Sequence, residues 1–247
     1  MQESFHFFQE ELTADICFIR EALLSRFGPE PSRSRGSLED QLCGSILGSR
    51  TRDHISRRAF NRFALHFHGD WNLAAAASES EIHALIGDVT FAEKKAAWVK
   101  RVLANNAARN GKVSFSYVAQ LPIPEALQEL EKNLGVKRKT SAAALNFSNV
   151  RGPAFVVDTH VLRVLRRFGI AGPRTRTEYV YDKVMLAAAG MTADDLFELH
   201  WHLKRLGQQF CSHSQVACES CPLSARCLRR LESGTRVVPH VQTQKVW

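Results

Sequence analysis

Apolar side chains recur along this chain at the spacing of α-helices. The repeat is clearest in three segments, in which every third or fourth residue is apolar: Leu38, Leu42 and Ile46; Ile55, Ala59, Phe63 and Phe67; and Val180, Val184, Ala187 and Met191. Such spacing places the apolar side chains on one helical face, which can pack against a core. No segment alternates between polar and apolar residues as a half-buried β-strand does. The pattern therefore predicts an all-α protein.

Signals for helix starts and stops support the same fold class. Three pairs of residues have the spacing of a capping box, in which two side chains satisfy unpaired N–H groups of the first helical turn: Ser37 with Asp40, Ser78 with Glu81, and Thr192 with Asp195. Glycine and proline break the helical pattern at residues 28–36, 121–124, 151–153 and 172–173. These breaks divide the chain into about ten helices. The first break fits either a linker between domains or a surface loop.

The composition of the chain indicates which compartment and which kind of binding partner to expect. The net charge of +8 suits a polyanion such as nucleic acid, although many soluble proteins are as basic. The N-terminal residues lack the basic and apolar regions of a signal peptide, and no run of about 18 apolar residues could span a membrane. We therefore expect a cytoplasmic protein, associated with the nucleoid if the source is bacterial. In that reducing compartment, six cysteines favour a metal site over disulfides.

Four cysteines form the motif C-x6-C-x2-C-x5-C: Cys211, Cys218, Cys221 and Cys227. A cubane iron–sulfur cluster binds four thiolates from one compact loop, whereas a zinc ribbon presents two separated C-x2-C pairs. This loop has one such pair, so the spacing favours a [4Fe-4S] cluster over zinc. The other two cysteines, Cys17 and Cys43, occur in apolar helical contexts and are predicted to be core residues.

Basic residues frame the cysteine loop: Arg205, Arg226, Arg229 and Arg230. They can bind DNA phosphates, or they can offset the negative charge of the thiolates, and the sequence leaves both interpretations open. His200 and His202 precede the loop. Because four cysteines complete the ligand set, these histidines are predicted to pack in the core or to support the ligands.

A second motif, N-L-G-V-K-R-K-T-S-A, occupies residues 133–142. A glycine, a hydrophobic residue and then a helix start predict a tight turn between two helices, whose backbone amides can bind a phosphate. Further along, V-V-D-T-H brings Asp158 and His160 to another helix start. An aspartate there is by default an N-cap, which needs no catalytic role.

The chain resembles the endonuclease III branch of the helix–hairpin–helix DNA glycosylases. The resemblance rests on three motifs that occur in the same order in that family: the G-V-x-R-K-T turn, the V-D-T-H segment and the cysteine loop. Residues 47–53, L-G-S-R-T-R-D, are also similar to that family's L-S-x-Q-x-x-D stretch. The resemblance implies a six-helix domain at 37–150 and a discontinuous cluster domain made of 1–36 and 151–247. It also implies that Lys139 and Asp158 face each other across the cleft between these domains.

The activity implied by the resemblance is base excision repair of damaged pyrimidines in double-stranded DNA, by a bifunctional enzyme that is expected to be monomeric. Such an enzyme flips the damaged nucleotide out of the duplex. The amine of Lys139 then expels the base and forms a Schiff base that permits β-elimination at the resulting abasic site, while Asp158 stabilises positive charge and assists proton transfer. Two alternatives are a monofunctional mismatch or uracil glycosylase and a non-catalytic iron–sulfur DNA-binding protein.

The resemblance extends to DNA contacts by Gly135, Lys137 and Arg138 in the turn. Lys137 replaces the second glycine of the family's G-V-G. Either a left-handed backbone at Lys137 costs about 1–2 kcal/mol and distorts the turn, or its side chain adds a phosphate contact.

Three further positions match family residues near DNA. His160 and Arg163 match the stretch V-D-T-H-x-x-R, and they are predicted to contact phosphate or else to pack beside the cleft. Arg50 stands where the family has a gap-filling glutamine. We predict that Arg50 enters the duplex near the space left by the flipped nucleotide.

Overall fold

The computed structural model describes residues 2–31 and 35–229, and in these ranges it contains eleven α-helices, one short 3-10 helix and no β-strand. In chain order the α-helices are α1 (Gln2–Phe27), α2 (Leu38–Gly48), α3 (Asp53–His66), α4 (Trp71–Ala76), α5 (Glu79–Ile86), α6 (Ala92–Asn110), α7 (Ile123–Glu131), α8 (Arg138–Phe147), α9 (Thr159–Phe168), α10 (Thr177–Ala187) and α11 (Ala193–Gln209). The 3-10 helix is Val118–Gln120. The all-α prediction is confirmed. None of the described helices is long and apolar enough to cross a membrane.

The chain forms two compact units. The first unit is discontinuous and comprises Met1–Ser32 and Val157–Trp247, whereas the second unit is Arg33–Val156. The division predicted from the sequence had its boundaries after residues 36 and 150.

The second unit is built around α2, which packs against α3, α6 and α8. Its start is fixed by a capping box, in which the Ser37 hydroxyl accepts a hydrogen bond from Asp40 N–H and the Asp40 carboxylate accepts one from Ser37 N–H. The apolar stripe predicted for this helix is buried at Leu38, Leu42 and Ile46. Removing a leucine or isoleucine side chain from water contributes about 1.5–3 kcal/mol, so this face anchors α2 in the core.

In the first unit α9 packs against α11, and α1 packs against α10 and α11. The N-caps predicted for α5 and α11 are both observed, at Ser78 and Thr192. One core prediction is wrong, because Cys17 is exposed while Cys43 is buried. Cys17 lies next to Ile16, on the outer side of a buried stripe that continues through Ile19.

Candidate functional site

A tight turn joins α7 to α8 in the second unit. Gly135 has a φ of +85°, and a Cβ at this position would lie 2.5 Å from Cδ2 of Trp98. Val136 is buried, and its N–H donates to the carbonyl oxygen of Asn133 at 3.1 Å. Glycine is therefore required at residue 135 both by the left-handed backbone and by the close approach of the indole ring.

Lys137 follows the turn as the N-cap residue of α8. Its φ and ψ of −121° and 173° are those of an extended backbone, and its side chain is exposed. The predicted strain at Lys137 is therefore wrong, because the left-handed residue of this turn is Gly135. The exposed side chain leaves Lys137 as a predicted phosphate contact.

Arg138 has a structural partner within the same motif. Its Nε donates to Oε1 of Glu131 at 2.7 Å, and the hydroxyl of Ser141 donates to the same oxygen at 2.7 Å. These bonds connect the first turn of α8 to the last residue of α7. Arg138 thus stabilises the turn itself, and its contact with DNA stays a prediction.

Lys139 lies in the first turn of α8, half-buried and close to a second lysine, Lys95 of α6. The Lys95 side chain is 1% exposed. Burial, and then the positive charge of Lys139, lower the pKa of Lys95 to about 8.

Lys95 is absent from the site residues predicted above, although its place in an apolar helical stripe is visible in the sequence. Lys95 occupies the same helical face as Ala92, Ala96 and Val99, all of which are buried. A lysine within an apolar helical stripe must carry its ammonium group into the interior or direct it to the edge of the core.

Arg50 lies in the turn that follows α2 and has a φ of +54°. Its side chain is exposed, and its Cζ lies 6.0 Å from the ring centroid of Phe91. Phe91 is itself exposed and left-handed, with a φ of +59°. A left-handed backbone is unfavourable for residues with a Cβ, so both positions are held by their surroundings.

Asp158 in the first unit is the N-cap of α9, as its default interpretation predicted. Its Oδ1 accepts hydrogen bonds from the N–H groups of His160 at 2.8 Å and Val161 at 2.9 Å. Burial alone would raise the pKa of Asp158. The positive charges of His200 and Lys204 and the Val161 hydrogen bond outweigh burial, so the pKa lies below its usual value and the carboxylate is ionised at neutral pH.

Arg163 makes contacts inside the first unit. Its Nε donates to the carbonyl oxygen of Cys211 at 2.8 Å, and its Nη2 donates to that of Gly207 at 2.7 Å. Nη2 also lies 3.1 Å from Nδ1 of His160. Arg163 and His160 therefore connect the start of α9 with the beginning of the cysteine loop, and their contacts with phosphate stay predictions.

Arg167 binds the same end of the cysteine loop, one turn further along α9. Its Nη1 donates to Sγ of Cys211 at 3.2 Å and to the carbonyl oxygen of Ser212 at 2.6 Å. The thiol of Cys227 donates to the carbonyl oxygen of Arg167 at 3.4 Å. The first and last cysteines of the motif are thus both attached to α9.

Cys221 lies within electrostatic range of the other three cysteines of the motif. Burial is the largest cause that raises the pKa of Cys221, to about 12, and the negative charges of Cys211, Cys227 and Cys218 add to it. Within the described ranges, no three His, Cys, Asp or Glu side chains form a group that could hold a single metal ion.

The arginines around the loop have different surroundings. Arg205 is paired with Glu30, and Nη1 of Arg226 lies 3.7 Å from Oδ1 of Asp15. Arg229 is exposed. Arg230 lies outside the described residues.

Comparison with known proteins identifies the family. The model of the HhH-GPD superfamily of base excision DNA repair proteins matches residues 43–187, more than half of the chain. The chain belongs to the HhH-GPD superfamily. The matched segment of this HhH-GPD chain includes the Gly135 turn, Lys139 and Asp158.

Individual HhH-GPD relatives are endonuclease III proteins. Endonuclease III of Thermotoga maritima is 27% identical over 192 residues, which cover 75% of this chain and 80% of that protein. The chloroplastic endonuclease III homolog 1 of Arabidopsis thaliana is 28% identical over 193 residues, covering 75% of this chain and 48% of its own, so the chain spans about half of its length. These matches confirm the resemblance to the endonuclease III branch, and they suggest an iron–sulfur cluster in this HhH-GPD protein.

The fold is shared with a solved endonuclease III structure. The structure of a trapped endonuclease III–DNA covalent intermediate matches this HhH-GPD chain with a TM-score of 0.74 and 19% identity, over 90% of this chain and 99% of that one. At this identity the likeness establishes the fold alone.

Proposed function

We propose that this chain is a base excision repair DNA glycosylase with an associated AP lyase activity, in which Lys139 is the nucleophile. Its substrate is double-stranded DNA that contains a damaged pyrimidine or an abasic site. The observation that carries the proposal is the position of Lys139, in the first turn after the Gly135 motif and beside the buried ammonium group of Lys95. Membership of a base excision repair superfamily supports the same reaction class.

The surroundings of Lys139 suit a nucleophilic amine. A lysine attacks carbon only in its neutral form, and a nearby positive charge favours that form. Repulsion between two ammonium groups acts on both of them. Because the pKa of Lys95 is about 8, Lys95 keeps most of its charge at neutral pH and favours the neutral amine of Lys139.

The proposed reaction begins when the flipped nucleotide presents C1′ of its sugar. The nitrogen of Lys139 forms a bond to C1′, and the bond between C1′ and the base breaks, so that its electron pair leaves with the base. Loss of the amine proton and opening of the sugar ring give an imine. Removal of a proton from C2′ then expels the 3′ phosphate by β-elimination, which cleaves the strand.

Asp158 supplies negative charge in this proposal. The carboxylate is ionised at neutral pH, and both N-cap bonds use Oδ1. An ionised carboxylate stabilises the positive charge that develops on the sugar as the base departs, and it can accept a proton. The N-cap bonds hold the carboxylate in a fixed orientation.

We propose that the protein binds DNA through contacts with backbone phosphates and by inserting a side chain into the gap left by the flipped nucleotide. One phosphate is proposed to bind the backbone amides of the Gly135 turn and the exposed side chain of Lys137. Arg138 is proposed to contact DNA beside them. His160 and Arg163 are proposed as a second phosphate-binding pair. The exposed guanidinium of Arg50 suits insertion into the duplex, because its planar group can both stack and donate hydrogen bonds.

A [4Fe-4S] cluster is proposed on the four cysteines of the loop, Cys211, Cys218, Cys221 and Cys227. The residues fit the group, because one loop supplies four soft thiolates. Cys221 lies within electrostatic range of the other three, and Cys211 receives an N–H bond from Arg167. When bound, the cluster would hold the loop in a fixed conformation.

The decisive experiment uses a panel of duplexes, each of which contains a single lesion. The lesions are thymine glycol, uracil, a G·T mismatch and an abasic site. Base release and strand nicking are scored separately, with and without alkali. We expect thymine glycol to be released and abasic DNA to be nicked without alkali. Base release without nicking would favour the monofunctional alternative, and DNA binding without either reaction would favour the non-catalytic one.

A further inference from the structure

Lys95 is a buried lysine whose ammonium group is saturated with hydrogen bonds. Its Nζ donates to the carbonyl oxygen of Leu47 at 2.7 Å, to that of Ser49 at 2.6 Å and to Oγ1 of Thr51 at 2.9 Å. An ammonium group has three donors, so each donor has one acceptor. All three acceptors are neutral, and they lie within one short segment.

That segment is the turn that carries Arg50. The acceptors at Ser49 and Thr51 flank Arg50 directly, and Arg50 has the left-handed φ of +54°. The turn is closed by the Thr51 N–H, which donates to the carbonyl oxygen of Gly48 at 3.2 Å. An arginine does not adopt this backbone readily by itself, so the contacts on both sides must hold it.

The start of α6 adds a second attachment to the same turn. The N–H of Thr90 donates to Oγ1 of Thr51 at 3.1 Å, and the Phe91 ring lies below the Arg50 guanidinium. Lys95 is one helical turn further along α6. The backbone of Arg50 is thus fixed by α6, while its side chain remains exposed.

We propose that Lys95 is a positioning residue, whose buried ammonium group holds the Leu47–Thr51 turn so that Arg50 is presented to the DNA. In this role Lys95 acts through Arg50, separately from its electrostatic effect on Lys139, and does not itself touch DNA. The inference rests on the proposed function only in naming damaged DNA as the ligand of Arg50. Within the part of the chain that the structure describes, all three acceptors of the Lys95 ammonium group are neutral. A buried cation with neutral partners is unfavourable for stability, which is consistent with its serving the conformation of this turn.

A double-mutant cycle tests the proposal. Lys95→Met removes the ammonium group but keeps the length of the side chain, and Lys94→Met removes an exposed charge from the adjacent position as a matched control. Rates are measured in single turnovers on abasic-site DNA. We expect Lys95→Met to lower the rate about 10- to 100-fold and Lys94→Met to change it less than about twofold. In an Arg50→Ala background the loss from Lys95→Met should be at least about fivefold smaller, because only the electrostatic effect of Lys95 on Lys139 remains.

Equal losses from Lys95→Met in the wild-type and Arg50→Ala backgrounds would overturn the proposal, because the whole effect of Lys95 would then pass through Lys139 and none through Arg50. Equal losses from Lys94→Met and Lys95→Met would also overturn it. If Lys95→Met does not fold, as judged by circular dichroism, Thr51→Val removes one of the three acceptors and must show the same dependence on Arg50, with a smaller loss.

A binding measurement separates this proposal from the proposed function. The ratio of affinities for a duplex with a tetrahydrofuran abasic analogue and for an undamaged duplex requires no turnover. If the wild-type protein cleaves no DNA, the proposed function fails. The positioning role would still be supported if Lys95→Met lowers this ratio in the wild-type background but does not lower it further in the Arg50→Ala background. A ratio that Lys95→Met leaves unchanged in the wild-type background would exclude the role.

Discussion

Gly135 and Trp98 lie so close together that a Cβ on residue 135 would meet the indole ring at 2.5 Å. The φ of Gly135, +85°, is also unfavourable for any residue with a Cβ. We predict that Gly135→Ala lowers the free energy of unfolding by about 2–5 kcal/mol, the sum of backbone strain and overpacking. Urea denaturation followed by circular dichroism measures the change.

Gly111 provides a matched control for this prediction. Its φ is +75°, and a Cβ there would have no neighbour within 4 Å. Gly111→Ala is therefore expected to lose only the backbone component, about 1–2 kcal/mol. Equal destabilisation by the two substitutions would show that the contact with Trp98 is unimportant.

Lys139 and Lys137 lie two residues apart but should have different roles. Borohydride is expected to trap an imine between abasic DNA and the wild-type protein, and Lys139→Gln should abolish the adduct while folding is unchanged. Lys137→Gln should retain trapping and weaken binding, with a smaller dependence of affinity on salt, because one phosphate contact is lost. Gel electrophoresis and fluorescence anisotropy measure the two effects. Full trapping by Lys139→Gln would show that another amine is the nucleophile.

Asp158→Asn separates the charge of this residue from its role as an N-cap. Asparagine is also a good N-cap, so the capping contribution to the free energy of unfolding should be retained, and only the attraction of the carboxylate to His200 and Lys204 is lost. The rate of base release should fall about 100-fold because the negative charge is lost. Asp158→Ser, which also caps a helix, is the control and should show a similar loss.

The lowered pKa of Asp158 predicts how the rate of Asp158→Asn relative to the wild type depends on pH. Because the pKa of Asp158 is lowered, its carboxylate stays ionised from about pH 5 to 9. Single-turnover rates of Asp158→Asn should therefore lie below those of the wild type by the same factor throughout this range. A difference that disappears towards pH 5 would mean that Asp158 takes up a proton there, contrary to the lowered pKa.

The contact between Arg167 and Cys211 leads to a prediction about the cluster. Anaerobically purified protein should be brown and contain about four iron atoms per chain. Arg167→Gln removes the N–H bond to Sγ of Cys211 and should accelerate loss of the visible absorbance in air a few-fold. Arg166→Gln is the control, because Arg166 donates to the carbonyl oxygen of Thr175 and not to the cysteine loop. One zinc and no iron would exclude the cluster.

The sequence alone gave correct predictions for features that depend on neighbouring residues. The helical repeat through Leu42 and Ile46 identified the buried face of α2, and the pairing of Ser37 with Asp40 identified its start. The N-cap role of Asp158 followed from its place before an apolar helix. Such features depend on the 3.6-residue period and on unpaired amides within one turn, so a short stretch of sequence is enough to specify them.

Other features were decided only when distant segments came together. Sequence could not show that Lys95 reaches the turn at Ser49, because the two are 46 residues apart and meet only when α2 packs against α6. Nor could it show that Lys137 is extended, since the conformation of the turn depends on how Gly135 approaches Trp98. The composition of a motif determines which groups are present. Their burial, partners and charge state are properties of the packed helices, since desolvation and hydrogen bonding depend on every neighbouring segment.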